Sequence, residues 1–69
     1  MGGAGDQTGA ADAFRKALER DPKDARVAYN LGLVLMRAGD PSARAQFERV
    51  LALDPGFRPA RERLAELGR

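Results

Sequence analysis

Sixty-nine residues make one small domain, near the size where a single hydrophobic core is marginal, and 43% apolar with 32% charged residues describe a globular chain rather than a disordered one. The chain has no cysteine and no histidine. Disulfides, thiolate chemistry, zinc sites and imidazole acid–base catalysis are therefore excluded together. Twelve cations against ten anions leave a net charge of +2, with the signs alternating along the chain as on a solvated surface.

No apolar run approaches the roughly 20 residues that span a bilayer. The start, Met1-Gly2-Gly3-Ala4-Gly5, lacks the basic flank and apolar stretch of a secretory signal, so a cytoplasmic location is the default expectation. Residues 1–5 are expected to be flexible. A first helix is predicted from about Asp6 or Thr8 to Arg20, with Ala10, Phe14, Ala17 and Leu18 on one face. Asp21-Pro22 closes it, because the residue before proline is pushed out of the helical region. Asp24 is placed to cap the next helix through its carboxylate.

The second helix, about Ala25 to Ala38, is apolar on two sides. Its main stripe is Val27, Ala28, Leu31, Val34, Leu35 and Ala38, while Tyr29, Leu33 and Met36 gather opposite. A helix of this kind is covered on both faces, or covered on one and offers the other. Gly32 in mid-helix costs about 1 kcal/mol against alanine, which points to a neighbouring helix too close for a side chain. Gly39 takes the left-handed position that ends a helix. Asp40-Pro41 then opens a third helix as N-cap and first helical residue. Its stripe is Ala43, Phe47, Val50 and Leu51, and Asp54-Pro55-Gly56 stops it. Pro59 starts a fourth helix with Ala60, Leu64 and Leu67 apolar and a charged face of Arg61, Glu62, Arg63 and Glu66. On the helices, Asp12 with Lys16, Arg15 with Glu19, Arg44 with Glu48 and Arg58 with Glu62 stand at pairing distance, each worth only about 0.2–0.5 kcal/mol.

The chain also repeats itself. Gly5-Asp6, Ala10, Phe14, Leu18 and Asp21-Pro22 recur as Gly39-Asp40, Ala43, Phe47, Leu51 and Asp54-Pro55. The later members stand 33 residues apart (14 to 47) and the Gly-Asp pair 34 (5 to 39), so one residue is dropped between Asp40 and Ala43. Such a period marks stacked supersecondary units. The stretch Ala28-x2-Leu31-Gly32-x2-Leu35…Ala43-x3-Phe47…Pro55 resembles the tetratricopeptide repeat, whose pattern is Trp-x2-Leu-Gly-x2-Tyr…Ala-x3-Phe…Pro. Ala28 replaces the Trp and Leu35 the Tyr, and the shortened turn at Asp40-Pro41 departs from the pattern. The resemblance implies an all-α stack of about four helices in antiparallel pairs, over residues 6–69. It divides these into a half repeat (6–23), a full repeat (24–57) and a terminal helix (58–69).

The resemblance further implies a protein–protein interaction module whose concave groove takes a peptide or a partner helix. The corresponding lining is Arg26, Tyr29, Asn30, Leu33, Met36 and Arg37, with Arg63 from the fourth helix. One branch of the family clamps the C-terminal carboxylate of chaperones, and Asn30 and Arg63 fall at positions compatible with two of its ligands. Pro59 stands where that branch has a lysine. Self-association into a homodimer is the structural alternative, since about two units are present where about three are needed for independent stability. Nucleic-acid binding through Arg58, Arg61, Arg63 and Arg69 is the weaker alternative, because Glu62 and Glu66 interrupt that cluster. No catalytic residue, cofactor or metal is expected. Thr8 and Ser42 sit at helix starts without a neighbouring base, and Glu62 with Glu66 read as exposed charges.

Overall fold

The computed structural model describes the backbone of residues 2–68 and the side chains of residues 9–68. The described residues form four helices and no strand: α1 (Gly2–Arg20), α2 (Ala25–Arg37), α3 (Ala43–Leu53) and α4 (Arg58–Leu67). The all-α expectation holds. One boundary differs at the start, where α1 takes in residues 2–5 instead of beginning at Asp6 or Thr8. Once a packed turn exists, each further residue adds one backbone hydrogen bond to the helix. Met1, expected in the flexible lead, lies outside the described residues, as do the side chain of Thr8 and all of Arg69.

All three corners use one device, an Asp-Pro-x turn. In each, the aspartate Oδ1 accepts from the backbone N–H two residues on: Lys23 to Asp21 at 3.2 Å, Ser42 to Asp40 at 2.9 Å and Gly56 to Asp54 at 3.2 Å. The backbone N–H three residues on donates to the same aspartate's carbonyl, from Asp24, Ala43 and Phe57 at 3.2, 3.1 and 3.0 Å. Aspartate first and proline second is the composition this turn favours. Asp24 then caps α2 as expected, its Oδ1 accepting from the Val27 N–H at 3.3 Å.

Asp40 does not cap α3. Its carboxylate is spent on the Ser42 N–H and on the Ser42 hydroxyl at 2.8 Å, so the helix begins at Ala43 with Ser42 in the cap position and no side-chain cap. Just before it, α2 ends in a left-handed glycine, Gly39, at φ +75. The Gly39 N–H donates to the Met36 carbonyl at 3.1 Å and the Asp40 N–H to the Leu35 carbonyl at 2.9 Å, satisfying two of the four carbonyls that a helix end leaves open.

Short corners make successive helices antiparallel neighbours, and α2 packs on α1 and α3 while α3 packs on α4. The Cα envelope measures 37 × 32 × 14 Å. Two layers of helices, about 8–10 Å between axes with Cα radii of about 2.3 Å, give that thinnest dimension. A cleft of about 220 Å³ lined by Arg15, Leu18 and Glu19 of α1, Leu31 of α2, and Gln46 and Arg49 of α3 sets α1 beside α3 over α2. Arg49 also reaches back to the first corner, its Nη2 donating to the Pro22 carbonyl at 3.3 Å.

The core is Ala11, Leu18, Ala28, Leu31, Leu35, Ala43, Phe47, Val50 and Ala60. At its centre, a Cβ built on Gly32 lies 2.7, 2.9 and 3.0 Å from Cε1, Cζ and Cδ1 of Phe47. The close approach expected from a mid-helix glycine is thus made by the Phe47 ring, which is itself 0% exposed. Tyr29 joins this core from the other side, tilted against Phe47 (centroids 5.7 Å apart) and Phe57 (5.1 Å).

Several expected placements shift. Val27 and Val34 are only half-buried and Ala38 is exposed, whereas Ala11, left off the α1 stripe, is fully in the core. The four expected i,i+4 ion pairs do not form. The pairs among the described residues are Asp12–Arg15 at 3.6 Å and Arg63–Glu66 at 2.7 Å. Three of the expected four have the cation N-terminal to the anion, the weaker orientation on a helix, and all eight residues are exposed, where pairing contributes little.

Two measurements test this framework. Gly32→Ala should lower stability, because overpacking against a buried ring costs about 1–3 kcal/mol and outweighs a helix-propensity gain of at most about 1 kcal/mol. Gly9→Ala on α1, where a Cβ meets nothing within 4 Å, should raise it. Urea unfolding of both variants checks the opposite signs, and equal signs would refute the packing account.

The second concerns Asp40, whose carboxyl is held below the ordinary aspartate value by the Ser42 N–H, and next by the Ser42 hydroxyl. Because the folded state favours the ionised form, the stabilisation is complete above the unfolded-chain value and is lost as pH falls through the lowered one. Carboxyl-carbon NMR titration should give Asp40 a lower midpoint in the native chain than in Ser42→Ala, which keeps the N–H and loses the hydroxyl, and equal midpoints would contradict the hydroxyl contact.

Candidate partner-binding face

Helix α2 is flanked along the chain by α1 and α3 and packs on both, so what it leaves uncovered is set by elimination. Ala28, Leu31, Gly32 and Leu35 face inward and are buried. At 100° per residue, the direction opposite them holds Arg26, Asn30, Leu33 and Arg37, spaced i, i+4, i+7, i+11. Arg26, Asn30 and Arg37 are exposed, and Leu33 sits half-buried among them. This ridge carries two fixed positive charges, one amide and one apolar side chain.

Leu33 also packs against the core, and the remaining expected lining residues are likewise held. Tyr29 and Met36 are half-buried and pack against the core, Tyr29 through the two aromatic contacts already described. They form the shoulder of the ridge on the side of Phe57 and the start of α4. Arg63, on α4, is also half-buried. Its Nη2 donates to Glu66 Oε2 at 2.7 Å and its Nε is buried without a partner. A guanidinium committed to a carboxylate on its own helix has less to offer a ligand. Of the C-terminal arginine cluster, Arg58 and Arg61 are exposed and Arg69 lies outside the described residues.

Val27 and Val34 form the opposite shoulder, and both were assigned inward from the sequence. Their signal was available: Val27 and Val34 lie about 60° and 40° from Asn30 around the helix, and about 40° and 60° from Leu31, on the boundary between the outer ridge and the core line. Among the described residues, no three Asp or Glu side chains gather as a metal site, and no helix is long and apolar enough to cross a membrane.

Comparison with known proteins agrees with this architecture. The family profile described as TPR repeat matches residues 4–39, which are α1, the first Asp-Pro corner and α2. A curated mouse (Mus musculus) protein, FK506-binding protein-like, is 37% identical over 59 residues, covering 84% of this chain and 17% of that relative. The chain thus spans about a sixth of the relative's length. No solved structure gives a match. With just over half its length matching the profile and its four helices packed in sequence order, the chain belongs to the tetratricopeptide repeat family.

Proposed function

We propose that this chain is a non-enzymatic protein–protein interaction module whose docking surface is the outer ridge of α2. Arg26, Asn30, Leu33 and Arg37 form its centre, with Tyr29 and Met36 as one wall and Arg63 at the margin. The observation that carries the reading is Leu33. It is an apolar side chain left half-open between exposed cations, on a helix whose other directions are packed. The family as a whole serves protein–protein interaction, and a ridge of this composition suits a peptide or partner helix with an apolar anchor flanked by a carboxylate. Arg26 and Arg37 would each offer the carboxylate a two-pronged contact.

The walls and the crest differ in what a substitution does. Tyr29→Ala removes a ring from between Phe47 and Phe57, so it should destabilise the fold by about 3 kcal/mol or more. Arg37→Glu on the exposed crest should change stability by no more than about 0.5 kcal/mol. Urea unfolding of the two variants checks this, and equal effects would mean the aromatic cluster is not structural.

For binding, a displayed peptide library can be selected on the immobilised chain. Enriched peptides should carry an acidic residue or a free C-terminal carboxylate near an apolar anchor. Leu33→Asp should abolish their retention while leaving helical circular dichroism intact, and Arg49→Glu, on α3, should leave retention unchanged. Retention that survives Leu33→Asp would sink the assignment of this ridge.

A further inference from the structure

The outward ridge of α2 has a spacing that selects among possible occupants. Arg26, Asn30, Leu33 and Arg37 follow one another at intervals of four, three and four residues. At 100° per residue they stay within about 60° of one another around the helix, so they form a nearly straight row along its axis. With a rise of about 1.5 Å per residue, the row runs about 16 Å from one arginine position to the other. On either side lies a pair of half-buried apolar residues seven apart, Val27 with Val34 and Tyr29 with Met36. A central row at four-three-four flanked by pairs at seven is the heptad arrangement against which a second helix packs.

An extended chain does not match this row. Its residues advance about 3.3 Å each and alternate between faces, so the same distance takes about five residues. Residues five apart point to opposite sides of an extended chain. A strand-like peptide that places one carboxylate on Arg26 therefore turns the other away from Arg37. A helix meets no such conflict, because its own side chains recur at four, three and four on one face.

On the reading that the α2 ridge is the docking surface, we infer that its partner is an acidic amphipathic helix lying antiparallel to α2. Antiparallel alignment brings the partner's N-terminus, with its partial positive charge, beside the partly negative C-terminal end of α2, and the reverse at the other end. The partner then carries an acid at i for Arg37, an apolar residue at i+4 for Leu33, a carboxamide at i+7 for Asn30 and an acid at i+11 for Arg26. Acids suit both ends of the row, because Arg26 and Arg37 are exposed and neither is in an ion pair among the described residues. Asn30 supplies both a donor and an acceptor, and one such residue within a heptad seam fixes the register of a helix pair. Leu33 stands off-centre, seven residues from Arg26 and four from Arg37, so a parallel helix would need its apolar residue at i+7 instead.

Three synthetic peptides test this by fluorescence anisotropy at fixed ionic strength. The first is a monomeric helix with glutamate at i and i+11, leucine at i+4 and glutamine at i+7. The second exchanges the leucine and the glutamine, which fits the parallel alignment. The third is the first with a central proline, which breaks the helix. The first should bind roughly ten-fold or more tightly than either of the others, equivalent to about 1.4 kcal/mol. Arg37→Glu should weaken it by a similar factor and be rescued by lysine at i, and Arg26→Glu by lysine at i+11, with circular dichroism showing that both variants fold. Equal or tighter binding of the exchanged or the proline peptide overturns the inference, and so does rescue at the opposite ends. If displayed peptides are held through Leu33 yet the first peptide is not bound, the ridge stands and the antiparallel helix falls. If Leu33→Asp leaves binding of the first peptide unchanged, the ridge itself is wrong and the inference goes with it.

Discussion

The contact between Gly32 and the Phe47 ring sets the distance between α2 and α3, and most of the fold follows from that distance. A ring held where a Cβ would lie at 2.7 Å brings the two backbones close. Only then can side chains as short as Ala28 and Ala43 be sealed to 0% and 1% exposure. Four of the nine core residues are alanines, so the interior is filled by bringing helices together more than by large side chains. Phe47, Leu31 and Val50 are the largest fully buried side chains. Few bulky residues therefore hold the layers, which is the condition expected of a chain this short. Loss of the notch would affect the whole stack, because α2 and α3 are the helices to which α1 and α4 attach.

Close packing of this kind also requires that the corners not push the helices apart. The Asp-Pro-x turn meets that need three times with the same chemistry. Proline holds its own φ near −65°, and the aspartate satisfies the N–H that the reversal would otherwise leave open. Its reuse at Asp40, out of step with the 33-residue period, explains how one residue can be dropped there without loss of the hairpin. The turn is closed on Asp40 by Ser42 and the Ala43 N–H, and the period resumes at Ala43. Only Gly39 at this corner needs the left-handed backbone, and it is the corner joining the two most tightly packed helices.

Helix number, the corners and the Gly32 notch were legible in the sequence because each rests on local chemistry or on period. What was not legible depends on which neighbour sits on which side. Periodicity grouped Val27 and Val34 with Ala28 and Leu31, although the uncovered sector of α2 runs through Asn30 and leaves both valines at its edge. It placed Ala10, Phe14, Ala17 and Leu18 on the inner line of α1, of which Leu18 is buried, while the other buried position is Ala11, which it left off. Phe57 lies at a helix start, outside any helical stripe, so nothing in the pattern brought it to Tyr29. Of the expected binding residues, Arg26, Asn30 and Arg37 stand open. Tyr29, Met36 and Arg63 are drawn into packing or an ion pair that spacing alone does not reveal.

The same order of helices decides which surface α2 has left. It spends its inward line on α3 and a flank on α1, and the sector through Arg26, Asn30 and Arg37 is what stays exposed. A helix with one neighbour on each side along the chain buries its small residues and leaves its long charged ones outward, because the charged heads keep their water at no cost to the packing.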